Sequence, residues 1–271
     1  MSNKSNAGQK ELLYARLDDL SELCARGELG ISPFLSPGEL YFAETYLRRK
    51  GAPYIMYGGI SDAERRRVYL LPDYMEELSD AETSDIENRF AEFGYFSNIS
   101  ALRIKGSGYR KLTHRDFLGS VLGLGLERSV VGDIFVMGDG ESEAIMLCDS
   151  AIADFLLNEL SHIANDKVRV SSVRHGEWEA PKRRMQEIHD TVASPRLDAV
   201  VAALCNLSRE NASSAVLTGL VELNFENEER PDRTVAAPSI ISVRGIGRFR
   251  VLSLSDKTRK GRYRLDAEKY V

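Results

Sequence analysis

The sequence predicts an α+β protein built from three parts, and three observations lead to this prediction. Apolar residues recur at helical spacing in some stretches and cluster in short β-like runs in others. The middle of the chain follows the order strand, helix, strand, strand, helix, strand. The charge balance changes sign, since residues 1–181 carry 20 Lys and Arg against 29 Asp and Glu, whereas residues 182–271 carry 16 against 12. We therefore expect an N-terminal α/β domain over 1–84, a ferredoxin-like plait over 85–180 and a small α+β module over 181–271.

The composition predicts a folded protein without a metal, a cofactor or a membrane span. With 43% hydrophobic residues, the chain of 271 residues has enough apolar material for ordinary cores. Cys24, Cys148 and Cys205 lie far apart and the four histidines lack metal-ligand spacing, so neither a disulfide nor a zinc site is expected. The first ten residues are polar, and no run approaches the roughly 18 apolar residues of a membrane span. These features favour a cytoplasmic protein.

Two helices are predicted in the first domain. Apolar residues at helical spacing indicate a helix over residues 11–29. A second helix is predicted over residues 37–50, because Ser36 suits the cap position, Pro37 suits the first turn and Gly51 suits the end. The helical part of this domain therefore precedes its β-like part.

Two β-like runs follow, over residues 53–57 and 68–71, and they are predicted to form a hairpin or to lie side by side. Between them stands Arg65-Arg66-Arg67, a basic run in an acidic region, for which a solvated face and an RNA contact are both open. The acidic, turn-rich stretch 73–85 is expected to be the boundary of the domain.

The central domain is predicted as a plait with two helices on one face of a four-stranded sheet. Its expected elements are a strand over 101–105, a helix over 115–124, a hairpin of 133–137 and 144–148, a helix over 152–164 and a strand over 168–173. The pair Asp139-Gly140 supplies the turn chemistry of the hairpin. This order of elements is that of ferredoxin-like, RNA-recognition-like domains.

The tripeptide His114-Arg115-Asp116 stands at the start of the first helix of the plait. It superficially resembles a kinase catalytic loop, but the other kinase motifs are missing. Two interpretations stay open. With Arg110 and Lys111 it could contact RNA phosphate or a partner, or it could be a helix start that Thr113 caps and Asp116 favours.

The last domain is predicted to consist of two helices followed by a small curled sheet. The charged stretch 178–190 is expected to be a linker or a peripheral helix. Ser194 suits the cap of the next helix, and Pro195 its first position. Ser208 suits the cap of a second helix that runs to Leu217. The β-like runs cover 220–225, 240–244 and 248–254.

Several spaced residues of this domain form a recognisable set. They are Arg196-Leu197-Asp198, Leu204, Ser208-Arg209, Ala212, Val216-Leu217, Gly219-Leu220-Val221, Leu223-Asn224 and residues 240–245. Together they resemble the RNA-binding module first named after small-subunit ribosomal protein four. The sequence departs from that pattern at Phe225, where glycine is usual, and at Pro238-Ser239, where Gly-Asp is usual. The resemblance implies two short helices whose exposed edge presents polar groups to phosphates and 2′-hydroxyls of structured RNA.

The candidate RNA-binding residues are taken from that edge and its surroundings. Arg196 and Arg209 are the expected anchors, because arginine stays charged and can hold a phosphate through two hydrogen bonds. The others are neutral hydrogen-bonding residues or further cations of the domain: Ser208, Ser213, Thr218, Asn224, Arg244, Arg248, Lys182 and Arg183. For any one of them a purely structural role, such as a helix cap, stays open. No catalytic residue is expected.

A wider set of motifs extends over nearly the whole chain. It comprises residues 42–50, Gly58-Gly59, Ala63-Glu64-Arg65-Arg66-Arg67, His114-Arg115-Asp116, Leu118-Gly119, Leu124-Gly125 and Val131-Gly132-Asp133-Ile134. With the C-terminal module, this set resembles the YlmH family of bacterial and plastid proteins. The resemblance implies a non-enzymatic RNA-binding protein that acts on large ribosomal subunits obstructed by peptidyl-tRNA, in ribosome-associated quality control, and we expect it to be a monomer. It implies ribosomal RNA of the large subunit as the partner, with tRNA and ribosome rescue proteins as further candidates.

Two other classes of function stay open. Pseudouridine synthases often carry the same RNA-binding module and use an aspartate within Arg-Leu-Asp, which Arg196-Leu197-Asp198 supplies. Here the tripeptide opens the module's own first helix and no separate catalytic domain follows it, so Asp198 is expected to be structural. The second alternative is an adaptor for the cell-division machinery. The choice between the bacterial and the plastid-type role of the family also stays open.

Overall fold

The fold mixes helices and antiparallel sheets, so the predicted α+β class is confirmed. A computed structural model describes residues 2–137, 142–174, 177–181, 185–258 and 261–270. By internal contacts the chain forms two compact units, Met1–Pro181 and Lys182–Val271, called the first and second unit below. A further boundary at residue 84 stays a prediction. Among the described residues, none of the helices combines the length and the hydropathy that crossing a bilayer requires.

The first unit begins with helices and a small sheet. The elements are α1 (Ser2–Ala25), β1 (Gly30–Ile31), α2 (Pro37–Lys50), β2 (Tyr54–Tyr57) and β3 (Arg67–Leu70), with the antiparallel sheet order β1-β3-β2. Helix α2 has its predicted bounds. Ser36 and Glu39 form a reciprocal capping box, and Gly51 ends the helix in the left-handed region at φ 66°. Local signals were sufficient here because both ends of the helix are capped by neighbouring residues.

The stretch predicted as a turn-rich boundary contains regular structure. Asp73–Asp80 is a 3₁₀ helix, and α3 (Ile86–Glu92) follows it. Met75 and Leu78 of the 3₁₀ helix are buried in one cluster with Phe90 of α3. These apolar side chains pack against the small sheet, so the acidic residues around them form only the outer face.

The predicted strands and helices of the plait follow in the predicted order. They are β4 (Ile99–Lys105), α4 (His114–Gly123), β5 (Val131–Met137), β6 (Glu143–Asp149), α5 (Ala153–Glu159), β7 (His162–Ile163), β8 (Asp166–Lys167) and β9 (Arg169–Val173). Short 3₁₀ turns, Arg128–Val130 and Ser150–Ile152, precede β5 and α5. The four-stranded antiparallel sheet has the order β5-β6-β4-β9, and β7 and β8 form a separate two-stranded pair. Phe117 of α4 and Leu156 of α5 are buried in one cluster with Leu102 and Met146 of the sheet.

Helix α5 is shorter than predicted. It ends at Glu159, and residues 160–164, which were expected to continue it, contain β7, the first strand of the β7–β8 hairpin. Ile163 is nevertheless fully buried in the cluster of the plait, and Ala164 turns the chain with φ 50°. The helical spacing was misleading because the hairpin buries the same apolar side chain that one more helical turn would have buried.

The basic run Arg65-Arg66-Arg67 is largely engaged in contacts within the first unit, so it is not a solvated face. Arg65 donates hydrogen bonds to the carbonyls of Phe34 and Val131, both at 2.9 Å, and burial lowers the pKa of its guanidinium. Arg67 is only 4% exposed and forms an ion pair with the Asp149 carboxylate. The run therefore joins the first 84 residues to the plait.

The second unit carries two helices on a six-stranded antiparallel sheet. Its elements are β10 (Met185–Val192), α6 (Leu197–Cys205), α7 (Arg209–Leu217), β11 (Val221–Leu223), β12 (Glu226–Asn227), β13 (Ser239–Val243), β14 (Gly247–Lys257) and β15 (Tyr263–Tyr270). The sheet order is β10-β15-β14-β13-β11-β12. Val200 of α6 and Val216 of α7 are buried with Ile241, Phe249 and Leu265 of the sheet.

Two predictions for the second unit were wrong. The stretch expected to be a linker or peripheral helix contains strand β10, which pairs along its whole length with β15. The first helix begins at Leu197 and not at Pro195, because the amides of Leu197 and Asp198 donate to the carbonyls of Arg233 and Pro231. A distant loop thus does the capping that the sequence had assigned to Ser194.

Candidate nucleic-acid interface

The two predicted anchors meet on one carboxylate. Arg196, just before α6, donates from Nε and Nη2 to the two carboxylate oxygens of Asp198, at 3.2 and 3.1 Å. Arg209, the first residue of α7, donates to the same carboxylate at 3.3 Å. Asp198 is 4% exposed, whereas the side chains of Arg196 and Arg209 are 43% and 52% exposed. The arrangement, called the Arg–Asp–Arg cluster below, holds two guanidiniums side by side at the surface with a net charge of one.

The carboxylate is more than a neutralising charge. Burial opposes ionisation of Asp198, but the hydrogen bonds from Arg196 and Arg209 outweigh it and hold the pKa of its carboxyl below the usual value. Each arginine has five N–H donors, and the bonds to Asp198 occupy Nε and Nη2. Both oxygens of Asp198 are therefore engaged, while the guanidiniums keep an outward edge.

Replacing Asp198 with asparagine is expected to lower the stability of the second unit by about 2 kcal/mol at neutral pH, the usual worth of hydrogen bonds to a charged group. Because the folded state lowers the pKa of this carboxyl, its contribution is present above the unfolded pKa and is lost as the pH falls through the folded pKa. The difference between wild type and variant should therefore shrink below about pH 4. Urea unfolding followed by circular dichroism at pH 7 and pH 3 measures it.

The matched control for that measurement is Glu210→Gln, which removes an exposed carboxylate from the first turn of α7. This variant should unfold at nearly the wild-type midpoint at both pH values. If the loss of unfolding free energy in Asp198→Asn were the same at pH 7 and pH 3, the assignment of charged hydrogen bonds to Asp198 would be contradicted.

The neutral candidates on α7 and at its two ends are partly engaged in the helix itself. Ser208 is the cap, and its Oγ accepts from the Asn211 amide at 3.2 Å. Thr218 donates its hydroxyl proton to the Ser214 carbonyl at 2.8 Å, so it has only acceptor capacity for a ligand. Ser213 is half-buried. Of these three residues, Ser208 lies next to Arg209 and so closest to the Arg–Asp–Arg cluster.

Asn224 has a structural task in the turn after β11. Its side-chain Oδ1 accepts from the backbone amide of Ile240 at 2.8 Å, and its backbone amide donates to the Ile240 carbonyl. Asn224 and Phe225 both have left-handed backbones, with φ 52° and 65°. The turn therefore demands a conformation that glycine adopts most easily, which explains the glycine usual at position 225 in similar modules. For RNA, Asn224 can offer its side-chain NH₂ group.

The remaining candidate cations lie elsewhere in the second unit. Arg248 of β14 stands over the ring of Phe225, with 5.7 Å between guanidinium carbon and ring centroid. Arg244 is exposed just after β13. Lys182 and Arg183 lie outside the described residues. The structure thus brings Arg196, Ser208 and Arg209 together, and separately places Arg248 beside the Asn224 turn.

Sequence reasoning missed two arginines near the start of α6. Arg230 and Arg233 both pair with the carboxylate of Glu228, at 3.1 and 3.5 Å, in the loop whose carbonyls cap that helix. The Arg233 carbonyl receives the Leu197 amide, one residue beyond Arg196. Mixed charges in Glu228-Glu229-Arg230 concealed any basic signal, and only the hydrogen bonding of the loop places them at this edge.

The chain is similar to proteins of one named group. The family model "Putative RNA-binding domain in YlmH" matches residues 97–177. The "Ribosome-associated protein quality control protein P2" of Bacillus subtilis (strain 168) is 29% identical over 240 residues, which are 88% of this chain and 86% of the relative. A solved structure, "Cell division protein ylmH from Streptococcus pneumoniae", is 25% identical with a TM-score of 0.42, covering 59% of this chain and 90% of that chain. The range of the family model coincides with the strands and helices from β4 to β9.

Proposed function

Because the chain belongs to the YlmH family, we propose that it is a ribosome-associated RNA-binding protein whose second unit holds structured ribosomal RNA through the Arg–Asp–Arg cluster. The family model and the Bacillus relative support the ribosome-associated RNA-binding role in general. The finer part of the proposal is that the large subunit is bound, that tRNA and rescue proteins lie nearby, and that the protein is a cytoplasmic monomer acting in quality control of obstructed subunits.

The observation that carries the proposal is the pair of half-exposed guanidiniums on one buried carboxylate. A guanidinium aligned by Asp198 loses little further freedom when its outer N–H groups bind phosphate. The side chains of Arg196 and Arg209 are 43% and 52% exposed, so a phosphate can reach both. The balance of +4 over residues 182–271 favours a polyanion at this unit.

The same geometry supports a role without catalysis. A pseudouridine synthase would need its aspartate to reach a base of the substrate RNA. Asp198 is 4% exposed, and both of its oxygens accept hydrogen bonds from arginine. Freeing it would break these bonds and leave a buried charge unpaired, which is costly. The RNA-modifying alternative is therefore less well supported than RNA binding alone.

Cryo-electron microscopy of particles captured with the tagged full-length protein tests the proposal. We expect large subunits carrying peptidyl-tRNA, with density for Arg196 and Arg209 against a ribosomal RNA backbone. Binding to purified large subunits in a sedimentation assay should also fall steeply with salt, because phosphate contacts release counterions. A protein that stays in the supernatant with both purified subunits at low salt would refute the proposal and favour the division-adaptor alternative.

A further inference from the structure

The loop between β4 and α4 carries the most exposed aromatic side chain named in the structure. Residues 106–113 are called the tyrosine loop below. Tyr109 at its centre is 98% exposed, far more than the aromatic residues that form the cores. An aromatic ring left in water has a hydrophobic reason to find a partner surface. The loop lies within the range matched by the RNA-binding family model.

The backbone of the tyrosine loop is held firmly although the ring is free of packing. Asp166, which is buried, accepts from the amide of Ser107 at 3.0 Å and from its hydroxyl at 2.5 Å. Ser107 Oγ in turn accepts from the Tyr109 amide at 3.3 Å. At the other end, Thr113 and Asp116 form a reciprocal capping box at the start of α4. Tyr109 is thus presented on a loop that is anchored on both sides.

The capping box confirms that Thr113 and Asp116 start α4, and it leaves the arginines beside them available for a contact. Asp116 is committed to the helix start, where its carboxylate accepts from the Thr113 amide at 2.8 Å. The hydrogen bonds from Thr113, and after them the charges of Arg110 and Arg115, lower the pKa of Asp116. Arg110 lies in the tyrosine loop and Arg115 in the first turn of α4, and both side chains are exposed.

Further positive charge collects at the same end of the plait. Lys105, the last residue of β4, is the cross-strand partner of Arg169 on β9, and both side chains are exposed. Glu143 is paired with Arg103 at 3.2 Å, whereas Asp166 keeps its negative charge while it holds Ser107, so the cations at this end still outnumber Asp116 and Asp166. This concentration of cations stands in a stretch, residues 1–181, that carries 20 positive against 29 negative side chains. A basic end on an otherwise acidic unit indicates that this end binds a polyanion.

We propose that the tyrosine loop is a second RNA contact, in which Tyr109 stacks on an unpaired base and Arg110, Arg115, Lys105 and Arg169 hold the flanking phosphates. Aromatic rings bind unpaired bases by stacking, which tolerates any base, and cations beside the ring follow the backbone. A base inside a duplex is already stacked, so the site takes single-stranded RNA. The inference rests on the proposed function but uses residues of the first unit only.

Fluorescence anisotropy with the full-length protein and a labelled single-stranded RNA tests the tyrosine loop. An RNA of about 12 nucleotides is within the usual size of single-strand binding sites. Tyr109→Ala should weaken binding about tenfold, whereas Tyr109→Phe should bind like wild type, because phenylalanine keeps the stacking face. Phe96→Ala is the matched control. Phe96 is 69% exposed and precedes the opposite end of β4, so its loss should leave the affinity unchanged.

The cations are tested separately by Arg110→Gln combined with Arg115→Gln. This variant should lower the slope of log affinity against log salt by about one for each phosphate contact removed. Equal single-strand affinity for Tyr109→Ala and wild type would overturn the inference, and so would a loss that Tyr109→Phe shares. Unchanged RNA affinity with weaker ribosome co-sedimentation would also overturn it, and would assign the loop to a protein partner.

The same experiment separates this inference from the proposed function. A structured RNA hairpin closed by a short loop of mutually stacked bases, measured in parallel, reports the surface of the second unit, and Tyr109→Ala should leave that affinity unchanged. If Tyr109→Ala is silent while substitution of Arg196 and Arg209 weakens hairpin binding, only the tyrosine loop is refuted. If the arginine substitutions are silent while Tyr109→Ala weakens single-strand binding, the Arg–Asp–Arg cluster is refuted and the loop stands.

Discussion

Replacing Arg67 with alanine is expected to destabilise the first unit by about 3 kcal/mol, because it removes one partner of a buried ion pair. Arg67 is 4% exposed, forms an ion pair with Asp149 and lies over the ring of Phe34, at 4.9 Å from guanidinium carbon to centroid. The value belongs at the lower end of the range for broken buried pairs, since the side chain of Asp149 is 24% exposed. Urea unfolding followed by tryptophan fluorescence measures it.

The chain has a single tryptophan, Trp178, which packs on Phe135 at 5.5 Å between ring centroids within the first unit. Its fluorescence therefore reports the unfolding of the unit that contains Arg67. The matched control is Arg48→Ala, which breaks an exposed ion pair with Glu44 on α2 and should leave the midpoint almost unchanged. An Arg67→Ala midpoint close to that of the control would contradict the prediction.

A second variant shows whether the loss comes from the unpaired charge. Arg67→Met combined with Asp149→Asn removes both charges and keeps similar volume. Replacement of a whole buried pair is often nearly neutral, so this double variant should be more stable than Arg67→Ala. If the double variant were the less stable one, the ion pair itself would be the main source of stability.

Replacing both Arg196 and Arg209 with alanine is expected to weaken binding to large ribosomal subunits or to a structured RNA hairpin by roughly a hundredfold, about tenfold for each lost phosphate grip. The physical reason is the loss of two aligned cations, whose side chains are 43% and 52% exposed beside α6 and α7. The salt dependence should also become shallower by about one unit of slope for each contact. Filter binding or sedimentation at several salt concentrations measures both effects.

This double substitution also leaves Asp198 buried without its partners, so folding must be checked. Adding Asp198→Asn to it removes the unpaired charge, and this triple variant should bind RNA as weakly as the double variant. Arg250→Ala with Arg262→Ala is the matched control, since it removes the same charge from the same unit at positions paired with Glu268 and Thr191. A control that loses as much affinity as the test variant would show a general charge effect and refute the assigned surface.

Elements with signals at both ends could be predicted from the sequence alone. Helix α2 has its predicted bounds because Ser36, Glu39 and Gly51 cap it locally. Helix α7 begins after Ser208 as expected, for the same reason. The order of strands and helices in the plait also followed from local periodicity and turn residues. These features depend on interactions between residues that are close in the sequence, so a local sequence pattern is enough to predict them.

The candidate site was predictable only in part. The motif predicts Arg196 and Arg209 as anchors, which stays a prediction, and Asp198 as structural, which agrees with its burial and its hydrogen bonds to both arginines. Their meeting on one carboxylate depends on how α6 packs against α7, which no spacing states. Asn224 proved to be part of a turn because its Oδ1 reaches the amide of Ile240, 16 residues away.

What the sequence by itself determined is the α+β class, the position of most helices and strands, and the change of charge near residue 181. Only the tertiary structure decided that Arg67 is buried, that Arg65 donates to carbonyls of the plait, and that β10 pairs with β15. The physical reason is the same in each case. A guanidinium or a strand edge can be satisfied by water or by distant protein groups, and the choice depends on which surfaces the folded chain brings together.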